Sequence, residues 1–182
     1  MARVRGRLLI DAVGFVEDSF GPKAPSSVWT TLPQDIRGVE RTLREDAWYP
    51  LEDFVAYLVA AKSLLAPAEE GFYRRQGRYA GERQKRFLGA MATSQETQRV
   101  MAPTIWRMYF DVGRLLVVRD SEGQDITQIH DFPTTPELCE RLLGAWEGVG
   151  SGPDRQLLAT ETRCALKGSA FCEVKMVSSP AG

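Results

Sequence analysis

A chain of 182 residues, 43% hydrophobic and 26% charged, fits one domain able to bury about 70% of its unfolded surface. Its net charge of −1 supplies no global field to gather nucleic acid or an anionic membrane, and no apolar run reaches the roughly 18 residues that span a bilayer. The basic start Met1 to Arg7 leads into Leu8-Leu9-Ile10, but Asp11 ends that stretch too early for a signal-peptide core. The expected location is therefore the cytoplasm, where thiols stay reduced. There the three cysteines, Cys139, Cys164 and Cys172, suit metal binding or plain packing rather than disulfides.

The first half reads as helical. Ala12, Val13, Phe15, Val16 and Phe20 recur at helical spacing, and Gly21-Pro22 stops the run. Arg37 to Glu45 suits a short surface helix. Pro50 opens a further helix with Glu52 and Asp53 at its positive end and an apolar stripe of Phe54, Leu58, Ala61 and Leu65. Glu69 to Met91 is a third helix, rich in Arg and Gln. Gly71, Gly77 and Gly81 either weaken it or admit another backbone. Thr93 or Ser94 caps the next helix, which carries Val100, Ile105, Trp106 and Tyr109 and bends or restarts at Pro103.

The second half changes period. Arg114 to Arg119 reads as a strand, Ser121-Glu122-Gly123 as a turn, and Ile126 to His130 as the returning strand. Thr135-Pro136-Glu137 opens a helix running to about Trp146 and ending at Gly148. A closing hairpin follows: Leu157 to Ala165, a turn at Lys167-Gly168-Ser169, then Ala170 to Val177. The predicted fold class is α+β, with N-terminal helices packed on an antiparallel sheet built from two C-terminal hairpins. Residues 1–177 form a single domain, and 178–182 form a frayed tail.

Chemistry concentrates at the C-terminus. Cys164 and Cys172 are centred on Gly168, so a three-residue turn sets them opposite one another across the hairpin, near enough to grip one ion. Cys139 shares the apolar stripe of its helix with Leu142, Leu143 and Trp146, the side that must pack on the sheet. Glu161 could complete a four-ligand set that leaves zinc no open position, a structural site. One geometric condition stands: Glu161 and Cys164 are three apart and face opposite ways in a regular strand, so a bulge or bend must intervene. Buried free cysteines that only fill space remain the alternative.

The segment Glu161-Thr162-Arg163-Cys164 through Cys172-Glu173-Val174, with the helix Pro136 to Gly148, resembles the closing part of 4-vinyl-reductase-type domains. The match covers about Thr135 to Val177. In the phenol-responsive activators of that family, a Cys…Glu-x-x-Cys…Cys set holds zinc. The resemblance thus implies Cys139, Glu161, Cys164 and Cys172 as metal ligands. Gly14 to Gly21 and Trp48-Tyr49-Pro50 more faintly resemble haem–nitric-oxide-binding domains and some myxobacterial proteins of unknown function. Those domains, the 4-vinyl-reductase type and the TRAPP small subunits are distantly related in fold. Haem domains of this kind need an axial histidine, and the only histidine, His130, sits in a predicted strand, so the reading sets haem aside.

His130 has no spaced nucleophile or carboxylate pair to serve as a general base, and reads as a partly exposed strand residue. Arg74, Arg75, Arg78, Arg83, Lys85 and Arg86 form a basic run, but Glu69, Glu70 and Glu82 interrupt it, which suits a solvated helix face better than a nucleic-acid site. Trp29, Trp48, Trp106 and Trp146 suit a core, with one or two free to border a cavity for an apolar ligand. The functional expectation is a non-enzymatic small-molecule-sensing or regulatory domain with structural zinc, working through a protein partner and as a homodimer. The alternative is a homodimeric interaction or scaffold subunit without a ligand. A vinyl reductase comes last, for want of any cofactor fingerprint.

Overall fold

The computed structural model describes residues 1–89, 95–121, 123–152 and 155–180. The helical period of the first half becomes α1 (Gly6–Phe20), α2 (Ala24–Thr31), the short turns α3 (Gln34–Arg37) and α4 (Val39–Thr42), α5 (Leu51–Leu65), α6 (Phe72–Gly89) and α7 (Gln95–Tyr109). Two short strands that the pattern does not announce, β1 (Arg3–Arg5) and β2 (Trp48–Pro50), pair antiparallel and tie the N-terminus to the start of α5. The single helix expected over Arg37 to Glu45 is instead two turns divided at Gly38. Neither buries a residue, so no packing holds them in one longer helix. The cap expected at Thr93 or Ser94 lies outside the described residues.

The period-2 half becomes β3 (Arg114–Arg119), β4 (Asp125–His130), α8 (Pro136–Gly150), β5 (Arg155–Arg163) and β6 (Phe171–Pro180). The four strands form one antiparallel sheet in the order β3-β4-β6-β5, which bears out the α+β reading. β6 pairs through Ser178 and Ser179 to Pro180 against β5, so three residues assigned to a frayed tail are strand. Thr135 caps α8, its hydroxyl accepting from the Leu138 amide at 3.3 Å, with Pro136 at the first position.

The core joins both halves. Leu8, Leu9, Ala12, Phe15 and Val16 of α1 meet Phe54, Leu58 and Ala61 of α5 and Phe72 of α6, while Leu138 and Leu142 of α8 carry the same cluster to Ile129 and Cys172 on the sheet. α8 lies between α6 and the sheet. Its approach to α6 is set by paired glycines: a Cβ on Gly77 or Gly81 would overlap the carbonyls of Arg141 or Ala145, and one on Gly144 or Gly148 those of Arg74 or Arg78. The α6 glycines therefore admit another backbone rather than mark weakness.

Candidate metal centre

The sheet-facing side of α8 carries Cys139, half-buried and packed against the core. β5 ends at Arg163, and Cys164 follows in extended conformation before a 3₁₀ turn, Ala165–Lys167. Gly168 then reverses the chain with φ 88°, a left-handed conformation that costs glycine little, and β6 begins at Phe171. The connection is thus longer than the expected 167–169, running from 164 to 170. Cys164 sits beyond the end of β5 rather than directly opposite Cys172.

The bulge that the spacing of Glu161 and Cys164 demanded is present. Glu161 pairs with Val174 and Arg163 with Glu173, so Thr162 is the extra residue. That one-residue insertion restores the common face that a three-residue step would otherwise break. The result gathers Cys139 from α8, Glu161 from β5, Cys164 from the connection after β5 and Cys172 from β6, with one potential ligand atom from each, all within 4.8 Å of one another. Tetrahedral zinc with 2.3 Å bonds separates its sulfurs by roughly 3.8 Å, so the set needs only a slight contraction to close on an ion.

The electrostatics of this cluster favour a cation. Burial pushes the Cys139 thiol well above its usual range, and the neighbouring Glu161, Cys164 and Cys172 push it further. Burial also raises the Cys164 thiol, helped by its hydrogen bond with Glu161. A divalent ion inverts this balance by stabilising thiolate and carboxylate together. Around them the Ala165 amide donates to the Cys172 sulfur at 3.3 Å, the Thr134 hydroxyl lies 3.9 Å from the same sulfur, and Lys167 Nζ stands 3.7 Å from Glu161 Oε2. The adjoining void, bordered by Trp146, Phe132 and Leu142, holds about 10 Å³. That is room for one water or ion, not for an organic ligand.

Other candidate residues fall elsewhere. His130 pairs with Phe171 across β4 and β6, next to the inward pair Ile129 and Cys172, so alternation turns it to the outer face of the sheet. Its ring lies 4.6 Å from that of Phe171, and its Nε2 is 3.3 Å from Gln128 Oε1. Trp29 and Trp106 are core, with Trp106 stacked on Phe110 at 4.3 Å. Trp48 lies under the Arg5 guanidinium at 4.1 Å, and only Trp146 borders the metal cluster.

The basic run is less solvated than its composition implies. Glu147 of α8, 1% exposed, accepts from Arg74 at 2.5 Å, Arg78 at 2.6 Å and the Ala159 amide at 3.1 Å. Those donors hold its carboxyl below the ordinary range despite burial. Arg83 bonds the fully buried Asp11 of α1 at 3.2 Å. The sequence reading missed both buried carboxylates and the buried Arg141 and Gln76. The signal was slight: a charge recurring inside an otherwise apolar stripe.

No protein-family model and no curated protein matches the chain. Solved structures do match over nearly its whole length. An H-NOX protein from S. oneidensis in the Fe(II)NO ligation state has a TM-score of 0.71 at 10% identity, covering 98% of this chain and 99% of its own. Unliganded Fe(II) H-NOX from K. algicida gives 0.67 at 11% identity, covering 96% of each. An oxygen-binding H-NOX domain related to soluble guanylate cyclases gives 0.63 at 11% identity, covering 98% and 95%. These iron-carrying neighbours overturn the expectation that set haem aside, which rested on the place of one histidine. The residues present do constrain haem: His130, the one histidine of the sequence, faces away from the helical layer and is not placed to hold a group there. What the neighbours establish for this chain is its fold: the chain folds as an H-NOX domain does.

Proposed function

We propose that the chain is a non-enzymatic small-molecule-sensing or regulatory domain in which zinc, held by Cys139, Glu161, Cys164 and Cys172, locks α8 to the closing hairpin. The observation that carries this reading is the convergence of those four residues, from α8, the two closing strands and the connection between them, within 4.8 Å. The 4-vinyl-reductase-type resemblance supports the same ligand set, and the H-NOX fold, whose solved neighbours include an Fe(II)NO state and an oxygen complex, supports a sensing role. Four protein ligands leave zinc no open position, so the metal organises the site rather than activating water. The sensed molecule binds outside the 10 Å³ void beside the thiols, among the helices. Reduced cysteines suit a cytoplasmic setting.

Metal analysis of protein purified without added metal tests the first part. One zinc per chain is expected. Metal-free protein whose stability is unchanged by Cys164→Ser defeats it. Haem is a candidate occupant of this fold, so a haemin titration read at the Soret band belongs in the same experiment. Saturation at one haem per chain replaces the zinc-organised reading with a haem sensor. A second reading has its own observation: Leu116, Leu158 and Val177 are 38%, 42% and 57% exposed on the outer face of the sheet, an apolar surface suited to a homodimer. Native mass spectrometry separates monomer from dimer.

A further inference from the structure

Arg141 of α8 is 2% exposed and projects away from the metal cluster, its guanidinium 4.9 Å above the Phe54 ring of α5. Its Nε and Nη2 are buried and have no hydrogen-bond partner. These two nitrogens form one edge of the guanidinium, the two-pronged edge that grips a carboxylate with parallel hydrogen bonds. The same molecule supplies the comparison. Arg74 presents that edge, Nε and Nη2, to the Glu147 carboxylate at 3.1 and 2.5 Å. Arg141 presents it to no acceptor among the described residues.

A second orphan lies near. Gln76, fully buried on α6, has no partner at either Nε2 or Oε1. Its neighbour Gly77 packs against the Arg141 carbonyl. Gln76 belongs to the stripe Phe72, Gln76, Ala80, Gln84, one end of which meets Phe15 at 5.5 Å and the other Asp11 at 3.2 Å. Asp11 is the acid whose field reaches Arg141. It is already engaged by Arg7 at 3.3 Å, Arg83 at 3.2 Å and Gln84. Arg7 and Arg83, with Tyr79 and Glu82, also border a solvent-open groove of about 510 Å³ between α1 and α6. The Arg141 guanidinium lies over Phe54, and Phe72 and Ala80 of the Gln76 stripe are fully buried.

A buried guanidinium without an acceptor is expensive to fold, and such a group calls for a missing partner. We infer that the sensed molecule is an apolar monocarboxylate, its carboxylate seated on Arg141 Nε and Nη2, the Gln76 amide beside it, and its apolar body among the helical core side chains. This rests on the sensing role proposed above and names the chemical class that the site takes. A hydrocarbon of the same size would leave both donors unsatisfied, and a neutral phenol, with a single uncharged oxygen, could not match the two-pronged edge.

Calorimetric titration of the metal-replete full chain with benzoate, and separately with benzyl alcohol as its uncharged counterpart, tests the inference. Benzoate is expected to bind one per chain and benzyl alcohol at least tenfold more weakly. Arg141→Met should weaken benzoate by about 10- to 100-fold, the range for a charge-assisted pair. Arg141→Lys, which keeps the charge but loses the fork, should weaken it nearly as much. Arg141→Met without ligand should melt no lower than the parent, because an unpaired buried charge has been removed; a lower melting point assigns Arg141 a purely structural role and overturns the inference. Equal binding of benzoate and benzyl alcohol overturns the carboxylate assignment while leaving the sensing role intact. Benzoate binding unchanged by Arg141→Met overturns the placement. Binding of neither compound defeats the inference, whereas the zinc measurement independently decides the metal site.

Discussion

Helix α8 turns two unlike faces to the rest of the molecule. Toward the sheet it presents Cys139 to a carboxylate and two buried thiols, a set of four potential ligand atoms with Lys167 3.7 Å from the carboxylate. Toward the helices it presents Arg141, a buried cation whose carboxylate-binding edge lacks an anion, and, a turn or two on, Glu147 already clasped by Arg74 and Arg78. What tells these regions apart is whether a charge has found its partner among the described residues: Glu147 has, and Arg141 has not.

The largest effect should come from breaking the sheet-side face. Cys164→Ser or Cys172→Ser is expected to drop zinc from one per chain to near zero after mild chelation and to lower the melting temperature by about 10 °C, because binding energy at a structural zinc site is folding energy. Metal analysis with calorimetry checks both numbers. Next is the α6–α8 seam: Gly77→Ala places a methyl against the Arg141 carbonyl and should cost about 1–3 kcal/mol by overpacking, despite alanine's better helix propensity. Urea denaturation measures it.

The Glu147 network has a pH signature. Its carboxyl titrates below the ordinary value in the folded chain, so its contribution is fully present above the unfolded carboxylate pKa of about 4.3 and is lost as pH falls through the lower folded value. Glu147→Gln should cost about 1–2 kcal/mol at pH 7, less than a wholly buried pair because Arg74 and Arg78 remain 29% and 44% exposed. The gap to the parent should shrink steadily as the pH is taken below about 4. Stability curves that stay parallel into acid would remove this carboxylate from the account. The smallest effect belongs to Lys167→Ala. Its 3.7 Å contact to Glu161 is held by a side chain 79% exposed, so stability should move by less than about 0.5 kcal/mol and zinc content not at all.

Several elements were readable directly from residue types. Gly21-Pro22 ended α1, Thr135-Pro136 opened α8, and the alternation from Arg114 to His130 gave the first hairpin. These rest on local backbone preferences, which sequence carries without help. β1 and β2 were invisible because three-residue strands have no period to detect and exist only through each other. The haem question was misjudged for a related reason. A single histidine's position says nothing about a fold shared at 10% identity.

Sequence by itself determined the class of the fold and the two C-terminal hairpins, and named four candidate metal ligands, since hydrophobic period, turn chemistry and sulfur count are properties of neighbours along the chain. Tertiary structure alone decided that Thr162 bulges so that Glu161 and Cys164 share a face, that four glycines let α6 and α8 touch, and that Arg141 is buried with one edge unmet. Burial and hydrogen-bond completion are sums over residues distant in sequence, and only the folded coordinates perform that sum.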